Sequence, residues 1–310
     1  MKETYNMISI IHEAVDNKLI PGASSAFIDG GKIETDIYGL SDYPNTKLQK
    51  NMIYDIASLT KLFIAERIFQ LVEEGKVNLD DTIQTHINSF ENSRITIRKC
   101  LIHKTGFAPS AGGRYTMDTK RLIESVLKCE DLENSNNPQM IYSCINFIIL
   151  GLLIEKIDEL PLDISLEKSI FNPLGLKDTQ YKPTNLERII PTETGTKKGD
   201  VHDETARKLN GVSGNAGIFS TLKDLIKFTQ YTMKNRYTEL KEFCEDSRTL
   251  GWNVYNEETF YHTGFTGPII IMKDDKKALI ILTNRVHPSR SDTGYLKIRQ
   301  EIMEKFISTD

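Results

Sequence analysis

The sequence predicts an α+β fold: an antiparallel sheet built from both chain ends, flanked by helices, with a mostly helical region inserted in the middle. Three observations carry this. Strand-like runs cluster at the two ends: "GASSAFIDGGKIETDIYG" near the start, and "TLGWNVYN", "ETFYHTG" and "PIIIMKDDKKALIILTN" near the finish. Between about residues 80 and 200 helical patterns dominate, broken by loops such as "GFAPSAGGRYT" and "NSNNPQ". A helical pattern also stands at each terminus. On this reading residues 1–80 and 201–310 form a sheet domain, residues 81–200 a helical domain, and an active site is expected between them.

Taken in order, residues 5–17 read as a helix with Ile8, Ile11 and Val15 on one face. A hairpin follows, turning at Asp29-Gly30-Gly31, residues that tolerate positive φ. After the extended "MIYDIA", Leu62, Ala65, Phe69 and Val72 recur at helical spacing, and Gly75 is a helix stop. The longest apolar run, residues 147–154, is far short of the roughly 20 residues that span a bilayer, and reads as part of a buried helix over residues 146–157. "STLKDLIKFTQYTM" is an amphipathic helix. Two strands then turn at Asp274-Asp275, and "TGYLKIRQEIMEKFI" closes the chain as a helix.

The bulk numbers exclude several classes. A chain of 310 residues suits one large domain or two interleaved ones. Its 39% hydrophobic and 26% charged residues are ordinary for a globular protein, and the net charge of −4 leaves no basic run for nucleic acid or membrane. Acidic residues and Asn interrupt the first 22 residues, which do not read as a signal peptide. The four cysteines show no close-paired spacing for zinc or redox chemistry and are expected to be reduced thiols in a cytoplasm. No metal or cofactor is expected. His202, Asp203 and Glu204 read as a polar loop at the rim of a site, and His103 as structural.

The chemistry begins with "DIASLTKLF", where Ser58 precedes Lys61 by three residues. Ser125–Lys128, Ser165–Lys168 and Ser220–Lys223 share that spacing. The first two of these read as helix surface, and Ser220 or Thr221 as a helix N-cap. Ser58 differs because it stands where an extended segment enters an apolar helix. Its hydroxyl is near unpaired backbone N–H groups and the positive end of the helix dipole. Lys61 is one turn on, and Leu59, Leu62, Phe63 and Ile64 surround the pair with apolar side chains. Burial disfavours an ammonium, so Lys61 is expected to be partly neutral and able to act as a base.

Two more stretches decide the matter. "IYSCIN" gives Tyr142 and "YHTGFTG" gives His262, Thr263 and Gly264. With "IASLTK", "YSCINFIILG" and "HTGFTG", the chain resembles the serine β-lactamase and penicillin-binding superfamily, in its class C β-lactamase, D-aminopeptidase and family VIII esterase branch. The likeness runs from about residue 20 to residue 288. It implies an acyl-enzyme on Ser58, with Lys61 and Tyr142 sharing the acid and base work, the division between them left open. It implies an oxyanion hole from the backbone N–H groups of Ser58 and Phe265. Cys144, His262, Thr263 and Gly264 would contact substrate. Two departures bear on specificity. Many relatives have Lys where this chain has His262, a weaker and pH-dependent cation. Many have Asn where it has Cys144, a poor hydrogen-bonder. Gly264 is read as a point where ligand approaches the strand closely.

The expected activity is therefore hydrolysis of a small ester or amide, as an esterase or a D-amino-acid-type peptidase, with weak β-lactamase activity at most. Acyl transfer is a second option. A protein that binds, or is acylated without turnover, is a third.

Overall fold

The computed structural model describes residues 2–133 and 139–309, with side chains from Met7 onward. All but Gln139 of the loop "NSNNPQ" lies outside the described residues.

Helix α1 (Lys2–Asp16) leads into the hairpin β1 (Gly22–Asp29) and β2 (Lys32–Asp42). Gly30 and Gly31, with φ of 55° and 90°, make the turn, a conformation that matches the strand twist. Then come β3 (Thr46–Lys47), β4 (Tyr54–Asp55), a 3₁₀ turn (Ala57–Leu59) and α2 (Thr60–Glu73). The helical stretch holds α3 (Ile83–His86), α4 (Ile97–Leu101), α5 (Thr119–Leu127), α6 (Cys144–Asp158) and α7 (Leu162–Leu166). It is followed by β5 (Gln180–Tyr181) and α8 (Glu204–Lys208). The chain returns through β6 (Ile218–Ser220), α9 (Leu222–Asn235) and α10 (Tyr237–Glu242). Strands β7 (Arg248–Thr249), β8 (Trp252–Asn256), β9 (Thr259–Thr263), β10 (Ile269–Lys273) and β11 (Lys277–Thr283) precede α11 (Gly294–Ser308).

The main sheet is antiparallel, in the order β3-β2-β1-β11-β10-β9-β8-β7. First and last strands meet at its centre, with Ala23 opposite Thr283 and Ile28 opposite Ala278. The continuous apolar runs of β10 and β11 follow from burial on both faces. Ile270, Met272, Ala278, Ile280 and Leu282 face a large core shared with α2, α6 and α9. Ile269, Ile271, Leu279 and Ile281 face a smaller core closed by α1 and α11. The buried face of α1 is Met7, Ile10, Ile11 and Ala14, turned from the expected Ile8, Ile11 and Val15, because it must meet both the sheet and α11. A second sheet, β4-β6-β5, joins the segment before Ser58 to residues 180–181 and 218–220. Helix α6 is buried on most sides and starts at Cys144, two residues earlier than its apolar run suggests, because Ser143 caps it by accepting from Ile145 N–H.

Candidate active site

The backbone before Ser58 is held in an unusual turn. Ala57 has φ of +47°, a left-handed conformation that costs a non-glycine residue about 1–3 kcal/mol. Asp55 holds it there: Oδ1 accepts from Ala57 N–H at 2.8 Å and Oδ2 from His202 N–H at 2.7 Å. Burial pushes the Asp55 carboxyl upward in pKa, and the two backbone N–H groups oppose that. The 3₁₀ turn that follows presents Ser58 at the entrance to α2. Its backbone N–H has no acceptor among the described residues.

Lys61 is wholly buried. Its Nζ donates to Ser58 Oγ at 3.0 Å and to the Asn215 carbonyl at 2.8 Å, and lies 3.9 Å from Cys144 Sγ. Three acceptors around three hydrogens suit an ammonium. Burial pushes its pKa down, but negative charge at Cys144, then at Tyr142 and on the Asp203 carboxylate, draws it back, and the net direction is upward. This reverses the expectation of a partly neutral lysine, which counted burial without the partners. Tyr142 Oη donates to Ser58 Oγ at 2.9 Å. The Tyr142 ring packs 4.6 Å from His103, whose Nδ1 accepts from Ser143 N–H and faces Asn146 Nδ2, both at 3.1 Å. His103 thus holds the tyrosine segment against α6.

The opposite wall is the end of β9 and its loop. A cavity of about 340 Å³ is lined by Ser58, Tyr142, Arg248, His262, Phe265 and Arg299, with Thr263 and Gly264 beside them. His262 is not the expected cation. Burial, then Lys61 and Arg248, hold its pKa well below the usual 6.5. Its Nδ1 faces the Thr263 carbonyl at 3.0 Å, so a proton belongs on Nδ1, while Nε2 has no partner among the described residues. Packing alone requires Gly264: a Cβ there would stand 2.8 Å from the Ile56 carbonyl and 2.6 Å from Pro268. The loop also ties to the serine segment through Thr266 Oγ1, which donates to the Asp55 carbonyl at 2.8 Å. The Phe265 ring is half exposed, stacked 5.6 Å from His202 on one side and 4.6 Å from the Arg285 guanidinium on another.

Positive charge comes from elsewhere. Arg248 is 7% exposed, and its guanidinium lies 5.2 Å over the Tyr142 ring. Its electrostatic neighbours are Tyr142 and Tyr261, not carboxylates, and burial pushes its pKa down. Arg285 and Arg299 line the same cavity. Sequence reasoning missed Asp55, Asn215, Arg248 and Arg299. "GVSGNAG" carried a signal, since three glycines around one asparagine mark backbone held close to something else. Arg248 carried none.

The other three Ser–Lys pairs lie apart from this cluster. Ser125 and Ser165 are buried, not on the helix surface as expected: Ser125 Oγ donates to the Leu122 carbonyl at 2.8 Å, and Ser165 Oγ to Asp158 at 2.5 Å. Each sits on the inward face of a short helix, where an intrahelical or ionic partner satisfies its hydroxyl. Thr221, not Ser220, caps α9, accepting from Asp224 N–H. His202 bonds Glu193 Oε2 at 3.1 Å, and Asp203 caps α8. Trp252 is buried in the large core. Among the described residues no helix is long and apolar enough to cross a membrane.

An antiparallel sheet from both chain ends, with a serine, lysine and tyrosine gathered where helices meet it, defines the serine β-lactamase and penicillin-binding class of hydrolases. The chain belongs to the β-lactamase family: the model described as "Beta-lactamase" matches residues 7–301. It is 30% identical over 305 residues to a "Putative D-alanyl-D-alanine carboxypeptidase" of Salmonella enteritidis PT4, covering 76% of this chain and 70% of that one. A protein of the same description from Escherichia coli K12 is 29% identical over 314 residues, covering 79% and 72%. Among solved structures, a class C β-lactamase from Rhodobacter sphaeroides superposes with a TM-score of 0.79 at 15% identity, covering 97% of this chain and 98% of that one. A D-amino acid amidase from Ochrobactrum anthropi SV3 gives 0.77 at 19%, covering 98% and 99%. The structural likenesses speak for the fold.

Proposed function

We propose that the chain is a carboxypeptidase-like serine hydrolase, working through an acyl-enzyme on Ser58 and expelling a leaving group that carries a carboxylate. The observation behind the carboxylate is Arg248. A buried guanidinium without a counter-charge costs several kcal/mol, so a site that keeps one is built for an anion. A carboxylate can take two charge-assisted hydrogen bonds from it. Arg285 and Arg299 add to the same positive field.

In this reading residues 1–80 and 201–310 are the sheet domain, residues 81–200 the helical domain, and the reaction runs between them. For attack Tyr142 must be the phenolate, its own proton given up to solvent beforehand and the 2.9 Å contact reversed so that the Ser58 hydroxyl donates; Ser58 Oγ then attacks the carbonyl as its proton passes to Tyr142 Oη. Lys61 stays an ammonium and offsets the negative charge on whichever oxygen holds it. The backbone N–H groups of Ser58 and Phe265 receive the oxyanion, each such donor being worth about 2.7–4 kcal/mol. Tyr142 then passes the proton to the leaving nitrogen, and water releases the acyl group. Thr263 and Gly264 form the strand edge along which substrate lies. Neutral His262 offers substrate no charge. Cys144, on the Lys61 side, leaves an amide on the acyl side chain without a strong partner. Both features favour slow β-lactam turnover at most. Esters and D-amino-acid amides would pass through the same machinery; Arg248 is what favours a carboxylate.

The test compares release of D-alanine from an acyl-D-Ala-D-Ala peptide with release from the same peptide as its C-terminal amide. The carboxylate form should react about 10- to 100-fold faster, the worth of one charged hydrogen-bonding pair. Arg248→Gln should erase that preference. Equal rates in the wild type would overturn the reading, and a stoichiometric burst without turnover would mark a protein that is acylated but no longer hydrolyses.

A further inference from the structure

The peptide group joining Gly264 to Phe265 is held from one side only. Its carbonyl oxygen accepts from Arg299 Nη1 at 3.2 Å and from Gly267 N–H at 3.1 Å. Its N–H, that of Phe265, has no acceptor among the described residues, and Phe265 lines the cavity that holds Ser58. Arg299 comes from α11, in the second turn of the closing helix. Its electrostatic neighbours are Tyr295 and Tyr261, and among the described residues no carboxylate pairs with it.

We propose that Arg299 is a positioning residue for the oxyanion hole: its guanidinium polarises and orients the Gly264–Phe265 peptide so that the Phe265 N–H becomes a stronger donor. The inference rests on the acyl-enzyme reading given above, in which that N–H receives the oxyanion. The physics is that of a hydrogen-bonded chain. A cation at the carbonyl end of an amide draws electron density from nitrogen, and each link strengthens the next by about 10–30%. It also fixes the peptide plane. The Gly267 N–H holds the same carbonyl from within the turn, and neither adjoining side chain adds a polar tie, because Gly264 has none and the Phe265 ring is apolar. Gly264 N–H donates to the Pro268 carbonyl at 2.8 Å, and the bond from Thr266 Oγ1 to the Asp55 carbonyl anchors the far end of the same turn. Asp55 also holds Ala57, so both N–H donors of the hole are referred to one buried carboxylate segment. Arg299 then supplies what anchoring alone does not, a charge aimed along the Phe265 N–H.

Loss of one oxyanion donor costs roughly 100- to 1,000-fold in rate. Loss of its polarisation and alignment should cost about 10-fold. Arg299→Met keeps the length and apolar stem of the side chain and removes the charge; Arg299→Lys keeps a charge with poorer reach. Both are acylated with a short-chain 4-nitrophenyl ester carrying a ¹³C carbonyl, and the acyl-enzyme carbonyl band is read by difference infrared spectroscopy beside kcat and KM. The expected result is a carbonyl band at higher wavenumber in Arg299→Met, because a weaker hole polarises the acyl carbonyl less. The acylation rate should fall about 10-fold with KM little changed, Arg299→Lys should lie between, and added methylguanidine should restore part of the Arg299→Met rate. Far-ultraviolet circular dichroism and thermal unfolding check that both variants fold. If Arg299→Met misfolds, the Arg299→Lys band alone must still shift. An acyl carbonyl band and rate unchanged from wild type in folded variants would overturn the inference. No acyl band in the wild-type protein would overturn the acyl-enzyme reading and this inference with it, and the wild-type spectrum tells the two failures apart.

Discussion

Lys61 Nζ stands 3.0 Å from Ser58 Oγ, one helical turn along the chain. The lysine is wholly buried, yet its partners hold it charged. A buried ammonium beside a hydroxyl favours the alkoxide that forms when the proton leaves.

Lys61→Met should therefore lose at least about 100-fold in acylation, the low end of what a donor aimed at developing negative charge supplies. Lys61→Arg should fare little better. It keeps the charge, but a planar fork of five donors does not fit around Ser58 Oγ and the Asn215 carbonyl. Second-order acylation rates beside thermal unfolding check this. A wild-type rate in Lys61→Met would take the lysine out of the mechanism.

Two of the buried histidines, His103 and His262, make stability depend on pH. Burial, then Arg248, Lys61 and His262, hold the His103 pKa well below 6.5, and His262 is held low in the same way. The unfolded chain binds these protons near pH 6.5 and the folded chain does not. Their contribution is fully present above that pH and is lost as pH falls, by up to about 1.4 kcal/mol per pH unit for each histidine. Urea unfolding between pH 5 and 8 should show this slope, and His262→Gln should flatten it by about one proton. An imidazole resonance of His262 titrating near pH 6.5 would contradict the neutral ring.

Cys144 should tune specificity without supplying chemistry. Its Sγ is 3.9 Å from Lys61 Nζ, a weak contact. Cys144→Ala should keep simple ester hydrolysis within a few-fold. Cys144→Asn should raise acylation by N-acyl substrates relative to plain esters, about 10-fold for each 1.4 kcal/mol regained. The ratio of the two rates in the three proteins is the measurement. Loss of both activities in a folded Cys144→Ala would make the thiol part of the reaction.

What could be read from the chain was whatever is local or periodic. The β1–β2 turn, α6, the β10–β11 hairpin and Ser58 itself all carry their signals within about ten residues. What could not be read depends on pairs distant in sequence. Asn215 reaches Lys61 across 154 positions, and the charge on that lysine follows from such partners, not from the apolar helix around it. Arg248 belongs to a two-residue strand whose neighbours give no hint that it faces the cavity. Ser125 and Ser165 read as helix surface from the sequence, whereas their carbonyl and carboxylate partners let them be buried.

A buried ion pair supports α2 from behind. Arg236 Nε and Nη2 each lie 2.9 Å from the Glu66 carboxylate, and both residues are under 5% exposed. Removing one partner leaves the other charge buried, at about 3–5 kcal/mol. Glu66→Ala should lose that much in urea unfolding, softened by Glu73, which also binds Arg236. A loss under about 1 kcal/mol would show that Glu73 alone satisfies the arginine.

The central claim is that Ser58 carries the acyl group. Incubation with a fluorophosphonate or a reporter penicillin, followed by peptide mass spectrometry, tests it most directly. One adduct per chain on the peptide containing Ser58, absent in Ser58→Ala and unaffected by alanine at Ser125, Ser165 or Ser220, is the predicted result. An adduct that persists in folded Ser58→Ala would contradict the account.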